Sequence, residues 1–297
     1  MKKTFKTIAL IGKYNSPEIA EPLLKLADFL AKRGVTVLID KLTGTHIRNS
    51  PYPIHELEDL GRKSELAIVL GGDGTMLAAA RNLAQHRVPL AGINQGRVGF
   101  MTDIALKDIR ASVGAILDGK YSIEERALLE AQILRGERCL LRTVALNEAV
   151  LGKGTQGRLI EFEVRIDGEY VYRLRADGVI VATPTGSTAY ALSAQGPILQ
   201  PGVAAFALVP LNPHVLSARP VSVSDRSTIE IALLRALDAR AHFDGFALTD
   251  MAEGDRLVLK RSADAIRFVH PPGYSYFAML REKLSWSEAA EKSADPD

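Results

Sequence analysis

Apolar residues in the first third of the chain fall in short continuous runs separated by segments with helical spacing. Thr7 to Ile11 reads as a buried strand. Pro17 to Arg33 reads as a helix, with Leu23, Leu26, Ala27 and Leu30 on one face and Gly34 as its stop. Val35 to Ile39 predicts a second strand, followed by a polar, proline-bearing loop (Thr43 to Pro53) and a short helix around Ile54, Leu57 and Leu60. Leu66 to Leu70 and Val88 to Ile93 predict two more strands. Met76 to Gln85 and Lys107 to Leu117 predict the helices after them, the second ending at Gly119. This alternation implies a parallel sheet covered by helices on both faces. Ligands on such sheets bind beyond the carboxyl ends of the strands.

Near Lys120 the period changes. Ile160, Phe162, Val164 and Ile166 alternate with Glu161, Glu163, Arg165 and Asp167, and Asp167-Gly168 is a hairpin signal leading to Tyr170, Tyr172 and Leu174. Further strands are expected at Leu128 to Leu134, Leu140 to Leu146, Gly178 to Ala182, Thr228 to Leu233 and Arg256 to Lys260. The pattern divides the chain into an α/β domain (residues 1–120), an antiparallel β-rich domain (121–268) and a C-terminal segment (269–297) expected to pack back on the first domain. Its polar end, Ser287 to Asp297, is expected to fray.

Composition changes little in this picture. A chain of 297 residues with 47% hydrophobic and 24% charged residues has the make-up of a soluble globular protein. A net charge of +2 gives no reason to expect nucleic acid or a membrane surface as partner. The single Cys139 excludes an internal disulfide and a cysteine-rich metal site; it reads as a buried strand thiol in a reducing compartment. The basic, briefly apolar start is too short for a signal core, and no run reaches membrane-spanning length, so the expected location is cytoplasmic.

Chemistry concentrates in a few stretches. The strand ending at Leu70 runs into Gly71-Gly72-Asp73-Gly74-Thr75. Glycines let a backbone turn tightly and approach a ligand, and a glycine loop opening a helix suits phosphate. Asp73 does not suit it, because a carboxylate beside phosphates is repelled unless it handles a metal, a cation or a proton. The same residues also suit a plain strand–turn–helix corner with Asp73 or Thr75 as cap. The loop Asn94 to Phe100 ends a neighbouring strand, so both loops are expected at one cleft.

Asn147-Glu148 follows an apolar strand; the pair suits hydroxyls and ring nitrogens, or a solvated turn. Arg175-Ala176-Asp177-Gly178 precedes another buried strand, which enters Thr183-Pro184-Thr185-Gly186-Ser187-Thr188-Ala189-Tyr190. That hydroxyl-rich run suits a nucleotide's sugar or phosphate, with Tyr190 for stacking, or an elaborate capping turn. No HExxH, GxSxG or GxxxxGK[ST] motif is present, neither the Gly71 to Thr75 loop nor the Asn94 to Phe100 loop has GxGxxG spacing, and the six histidines show no metal-ligand spacing.

These motifs, occurring together and in this order, resemble the NAD kinase family in its bacterial ATP-using form. The similarity extends to Gly92-Ile93-Asn94, Gly99-Phe100-Met101-Thr102-Asp103, Gly196-Pro197-Ile198-Leu199, Pro213-His214 with Leu216 to Pro220, and Tyr274-Ser275-Tyr276-Phe277 with Trp286. GGDG alone is shared with lipid kinases and phosphofructokinases; Asn147-Glu148 together with the Thr183 to Tyr190 run is what separates NAD kinases from them.

The resemblance implies an α/β N-terminal domain with a mostly parallel, Rossmann-like sheet and an antiparallel, sandwich-like C-terminal domain. It implies transfer of the γ-phosphoryl of ATP to the 2′-hydroxyl of the adenosine ribose of NAD, giving NADP and ADP. Asp73 would be the general base, with Gly72 and Gly74 at the phosphates. Magnesium or another divalent ion would be held mainly through ATP rather than by protein ligands. Asn147 and Glu148 would hold NAD hydroxyl and amide groups. Thr188, Ala189, Tyr190 and Ser193 would line the adenine side, with Ala191 and Leu192 along the same wall and Phe100 packed on the base. Arg175 and Asp177 would act across an interface of a homodimer or homotetramer, and Arg158 matches a less constant position. The family usually has glutamine where Phe246 stands, so Phe246 is given no polar role. Two other readings use parts of the pattern: a lipid or other alcohol kinase sharing only the glycine loop, and a catalytically silent NAD(P)(H) sensor.

Overall fold

The computed structural model describes residues 5–14, 16–47, 50–96, 99–155 and 158–286. Arg97, Val98 and the tail Ser287 to Asp297 lie outside the described residues. The chain divides into two compact units, residues 1–125 with 266–297, and residues 126–265. The divisions thus fall after Glu125 and Ala265.

The first unit is the α/β body. Its elements are β1 (Thr7–Gly12), α1 (Ala20–Lys32), β2 (Thr36–Asp40), α2 (Lys41–Gly44), β3 (Ile54–His55), α3 (Leu57–Lys63), β4 (Leu66–Gly71), α4 (Asp73–Leu83), β5 (Leu90–Asn94), β6 (Ile104–Ala105) and α5 (Ile109–Leu117). Parallel pairing joins β3, β2, β1, β4, β5 and β6 in that order. Strands β4 and β5 are buried along their whole length, as expected of strands covered on both faces. Leu23, Leu26, Ala27 and Leu30 of α1 pack with Ile8, Leu10, Ile68 and Ile93 in the core. Gly34 ends α1 in the left-handed region at φ 79°, and its N–H bonds the carbonyl of Ala31.

Ile54 is a correction: it lies in β3, paired with Ile39, and not in a helix. The apolar spacing of Leu57 and Leu60 extends by chance one turn too far back. The helix expected from Met76 starts earlier, at Asp73, so the glycine loop is itself the first turn of α4.

The second unit is antiparallel. It comprises most of β7 (Ser122–Arg135), then β8 (Arg138–Ala145), β9 (Glu148–Lys153), β10 (Ile160–Ile166), β11 (Glu169–Ala176), β12 (Gly178–Ala182), α6 (Tyr190–Ser193), β13 (Ala205–Leu211), β14 (Val221–Ser224), β15 (Ile229–Arg235), β16 (Ala239–Phe243), β17 (Ala247–Met251) and the start of β18 (Asp255–His270). One sheet runs β14-β13-β12-β9-β16-β17; in the other, β11, β10, β15 and β18 are successive neighbours. Phe162, Phe206, Phe243, Leu151 and Leu257 fill the core of this unit. The β10–β11 hairpin turns at Asp167-Gly168, with φ 52° and 84°. Strand β9, directly after Asn147, has no alternation because it is buried on both faces, and sequence pattern does not reveal it. Cys139 is a second correction: it lies in β8 as expected but is exposed, not buried.

The chain then returns to the first unit. The end of β18 pairs with β5 at Phe268 and Leu90, and α7 (Tyr276–Leu284) follows, with the Ser275 hydroxyl accepting the N–H of Ala278 as its cap.

Candidate active site

In the first unit, the carboxyl ends of β4 and β5 open onto a cavity of about 430 Å³, lined by Lys13, Gly71 to Thr75, Asn94, Gln95, Gly96, Gly99 and Lys283. Both loops expected at one cleft therefore line one cavity. Asp73 occupies the first position of α4, where the amides have no acceptor within the helix. Open space lies where a side chain would sit at Gly72 and Gly74, so backbone is presented directly to the cavity.

Asp73 does not cap its own helix. Its Oδ2 accepts the N–H of Phe100 at 2.8 Å; its Oδ1 accepts the N–H of Met101 at 3.0 Å and the hydroxyl of Thr102 at 3.3 Å. An ionised carboxylate has roughly four acceptor positions. Three are used here, and Oδ2, with one partner, has room for another donor. Thr102 is held in turn by Asn94, whose amide donates to the Thr102 hydroxyl at 2.9 Å and accepts the N–H of Gly96 at 2.6 Å. A Cβ on Gly99 would lie 2.1 Å from Asp73 Oδ1, so only glycine lets the carboxylate lie against that backbone. Lys13 and Lys283 add positive charge to the cavity wall. Lys283 stands more than 200 residues from the glycine loop on a helix the sequence reading did not anticipate, so no local pattern marks it.

The second unit holds a cavity of about 540 Å³ lined by residues that include Glu148, Lys153, Asp177, Tyr190, Asn212 and His242. Its corner is built by Asp244, which sits at φ 55° in the turn between β16 and β17. The Asp244 carboxylate accepts the N–H groups of Leu146 (2.8 Å), Asn147 (2.8 Å) and Glu148 (3.1 Å), and its own N–H bonds the carbonyl of Glu148. Three consecutive amides around one carboxylate fix the Asn147-Glu148 backbone. In the sequence, Asp244-Gly245 carries only a turn signal.

Asn147 Oδ1 and Glu148 Oε2 are buried with no hydrogen-bond partner among the described residues. Glu148 is 7% exposed; burial, reinforced by the nearby Asp244 charge, pushes its carboxyl up to about 7. Unpartnered buried acceptors cost free energy, and a ligand that donates to them recovers it. Asp177 is paired with Lys153 at 2.6 Å and accepts from Asn212 at 2.9 Å; those bonds hold its carboxyl below the usual range. His242 is pushed down, by burial first and then by Arg240.

The hydroxyls of the Thr183 to Thr188 run are largely spent on the chain itself. Thr183 donates to the carbonyl of Leu146, Ser187 to that of Pro184, and Thr188 to that of Thr185. Of the two readings open for this run, these bonds support the capping turn, which is braced against the Asn147 corner. Gly186 lies so close to that corner that a Cβ would be 2.1 Å from the Asn147 carbonyl oxygen. Ala191 is fully buried with Val150, Ile180 and Val209 in the core. Ala189 and Leu192 are half-buried, Ser193 is exposed, and Tyr190 is 48% exposed at the cavity. Arg158 and Arg175 are exposed, and Phe100 is half-buried. Among the described residues no group of three or more His, Cys, Asp or Glu side chains is arranged to hold a metal, and no helix is long and apolar enough to cross a membrane.

Family models for the ATP-NAD kinase N-terminal and C-terminal domains match residues 8–121 and 146–271. An NAD kinase of Aromatoleum aromaticum is 56% identical over 288 residues, covering 97% of this chain and 96% of its own. One from an Azoarcus species is 52% identical, covering 97% and 98%. Among solved structures, yeast NADH kinase complexed with NADH superposes with a TM-score of 0.85 at 25% identity, covering 94% of this chain and 86% of its own. An Archaeoglobus fulgidus NAD kinase in complex with ATP gives 0.73 at 26% identity, covering 94% and 98%.

Proposed function

The chain belongs to the NAD kinase family, and on that premise we propose that it transfers the γ-phosphoryl of ATP to the 2′-hydroxyl of the adenosine ribose of NAD, with Asp73 as general base. The observation that carries the base assignment is the Asp73 carboxylate, oriented by three donors from residues 100–102 while Oδ2 retains an open acceptor position. In the reaction the ribose oxygen forms a bond to the γ-phosphorus, the bond to ADP breaks, and the hydroxyl proton passes to Asp73.

Helix α4 presents its first amides, with Gly72 and Gly74, to the phosphates, and Lys13 and Lys283 supply countercharge from the cavity wall. Asn147 and Glu148 hold NAD through their unpartnered oxygens. Thr188, Ala189, Tyr190, Leu192 and Ser193 take the adenine side, and Phe100 packs on a ring of the ligand. Arg158 contacts the nucleotide more weakly.

The donor set fits a divalent cation that arrives on ATP rather than one caged by protein. Among the described residues Asp73 is the only carboxylate lining the glycine-loop cavity, and the Asn94 amide is committed to Gly96 and Thr102. A divalent cation carried in by ATP would supply countercharge to the phosphates. The reading includes a cytoplasmic enzyme assembled as a homodimer or homotetramer through the antiparallel unit, with Arg175 and Asp177 near the interface. Exposed apolar side chains such as Leu216 (96% exposed), Leu237 and Phe246 favour such contacts.

Incubation with NAD, ATP and magnesium while following NADP tests the reading. NADP is expected, and its absence in folded protein would overturn it. Lipid phosphorylation or tight NAD binding without turnover would favour the two other readings.

A further inference from the structure

The carboxylate proposed as base is held by the segment 100–102, and the next residue, Asp103, ends in a buried charged cluster. His270, at the end of β18, is 2% exposed. Its Nδ1 lies 2.9 Å from Asp103 Oδ2, and its Nε2 lies 3.2 Å from Glu124 Oε2 on β7. The ring stacks on Tyr274 with centroids 3.6 Å apart and planes 5° from parallel, and the Tyr274 hydroxyl donates to Glu124 at 3.4 Å. Asp103 Oδ1 is buried with no partner, so the His270 nitrogen is the one hydrogen-bond partner of that carboxylate among the described residues.

We propose that His270 is a positioning residue for phosphoryl transfer, anchoring Asp103 and thereby the 100–102 segment that orients the Asp73 carboxylate. The chain is fixed at two nearby points. Ile104, one residue after Asp103, pairs with Ile93 of β5, and Thr102, one residue before, is fully buried and donates to Asp73. Asp103 lies between them. Without His270 it becomes a buried carboxylate with no donor, which costs enough to draw it toward water and the segment with it.

With a carboxylate at each ring nitrogen, both nitrogens donate only in the imidazolium form. The titratable groups facing the ring are Asp103 from the loop, Glu124 from β7 and Tyr274 from the stretch before α7. Burial alone would lower the pKa of His270. The hydrogen bonds and charges of Asp103 and Glu124 outweigh it and raise the pKa above the ordinary histidine range. The clamp is complete while His270 is charged and loosens as pH rises through that raised value.

This inference rests on Asp73 being the base. Its test is kcat against pH at saturating NAD, ATP and magnesium, for the wild type, His270→Gln and Glu124→Gln. The wild type should lose kcat on the alkaline side. In Glu124→Gln, which removes one charge and leaves the ring, that loss should begin at lower pH. In His270→Gln, kcat should fall about tenfold or more, because small misplacements of reacting groups are costly. The alkaline limb should vanish, with KM for NAD changed less than about twofold. If His270→Gln does not fold, Glu124→Gln alone decides. A wild-type profile flat through the alkaline range, or a Glu124→Gln limb unmoved, overturns the proposal. Wild-type turnover in Asp73→Asn would overturn the base reading instead. A dead Asp73→Asn beside wild-type pH profiles in both clamp variants would overturn only this inference.

Discussion

The Asp244 carboxylate accepts the N–H of Asn147 at 2.8 Å from the far end of the second unit's sequence, 97 residues away. The same carboxylate takes the amides on either side, so one buried side chain sets the geometry of the corner whose acceptors are proposed to meet NAD. Hydrogen bonds to a charged acceptor contribute about 1.5–3 kcal/mol each. Asp244→Ala, which leaves three amides without that acceptor, should destabilise the protein by about 3 kcal/mol or more in a denaturant titration and raise KM for NAD. Unchanged stability would show that the amides find other partners.

Glu148 carries a pH signature. Its carboxyl is raised from 4.5 to about 7 in the folded chain. A raised carboxyl means the folded state binds the proton more tightly than the unfolded state. Stability from this group is therefore fully present below about pH 4.5 and is lost as pH climbs through about 7. The loss is on the order of 3 kcal/mol at 1.36 kcal/mol per pH unit. Glu148→Gln cannot titrate, so its stability relative to the wild type should rise across that window and level off above it. Parallel curves in urea melts over the same range would remove Glu148 as the source.

Gly99 separates the fit of a backbone from the chemistry of a side chain. Because a Cβ there would lie 2.1 Å from Asp73 Oδ1, Gly99→Ala should push the carboxylate aside while removing no polar group from the site. A misplacement on the order of 1 Å costs up to about 10² in rate. Steady-state kinetics should show that loss in kcat, and a kcat equal to wild type would mean the loop yields without moving Asp73.

The α/β order, helices α1, α4 and α5, the Asp167-Gly168 hairpin and the two loops lining the Asp73 cavity were legible because periodicity and turn chemistry are local. Residues 183–188 were legible as unusual, with a nucleotide site and a capping turn both open. Whether a hydroxyl faces a ligand or a carbonyl depends on Leu146, far off in the chain. Strand β9 was invisible because burial on both faces erases alternation. Asp244, Lys283 and the His270 clamp were missed because each acts on residues brought near only by folding. His270 in particular reads in one dimension as a lone histidine after an apolar strand, and its two carboxylates lie 146 and 167 residues away.

The base assignment is tested most directly by Asp73→Asn, assayed side by side for NAD binding and for NADP formation. Asparagine keeps an acceptor oxygen and the size of the side chain but cannot take the ribose proton. NAD affinity should stay within about threefold, while turnover should fall by on the order of 10²–10⁴. Turnover at the wild-type rate with intact binding would contradict the account.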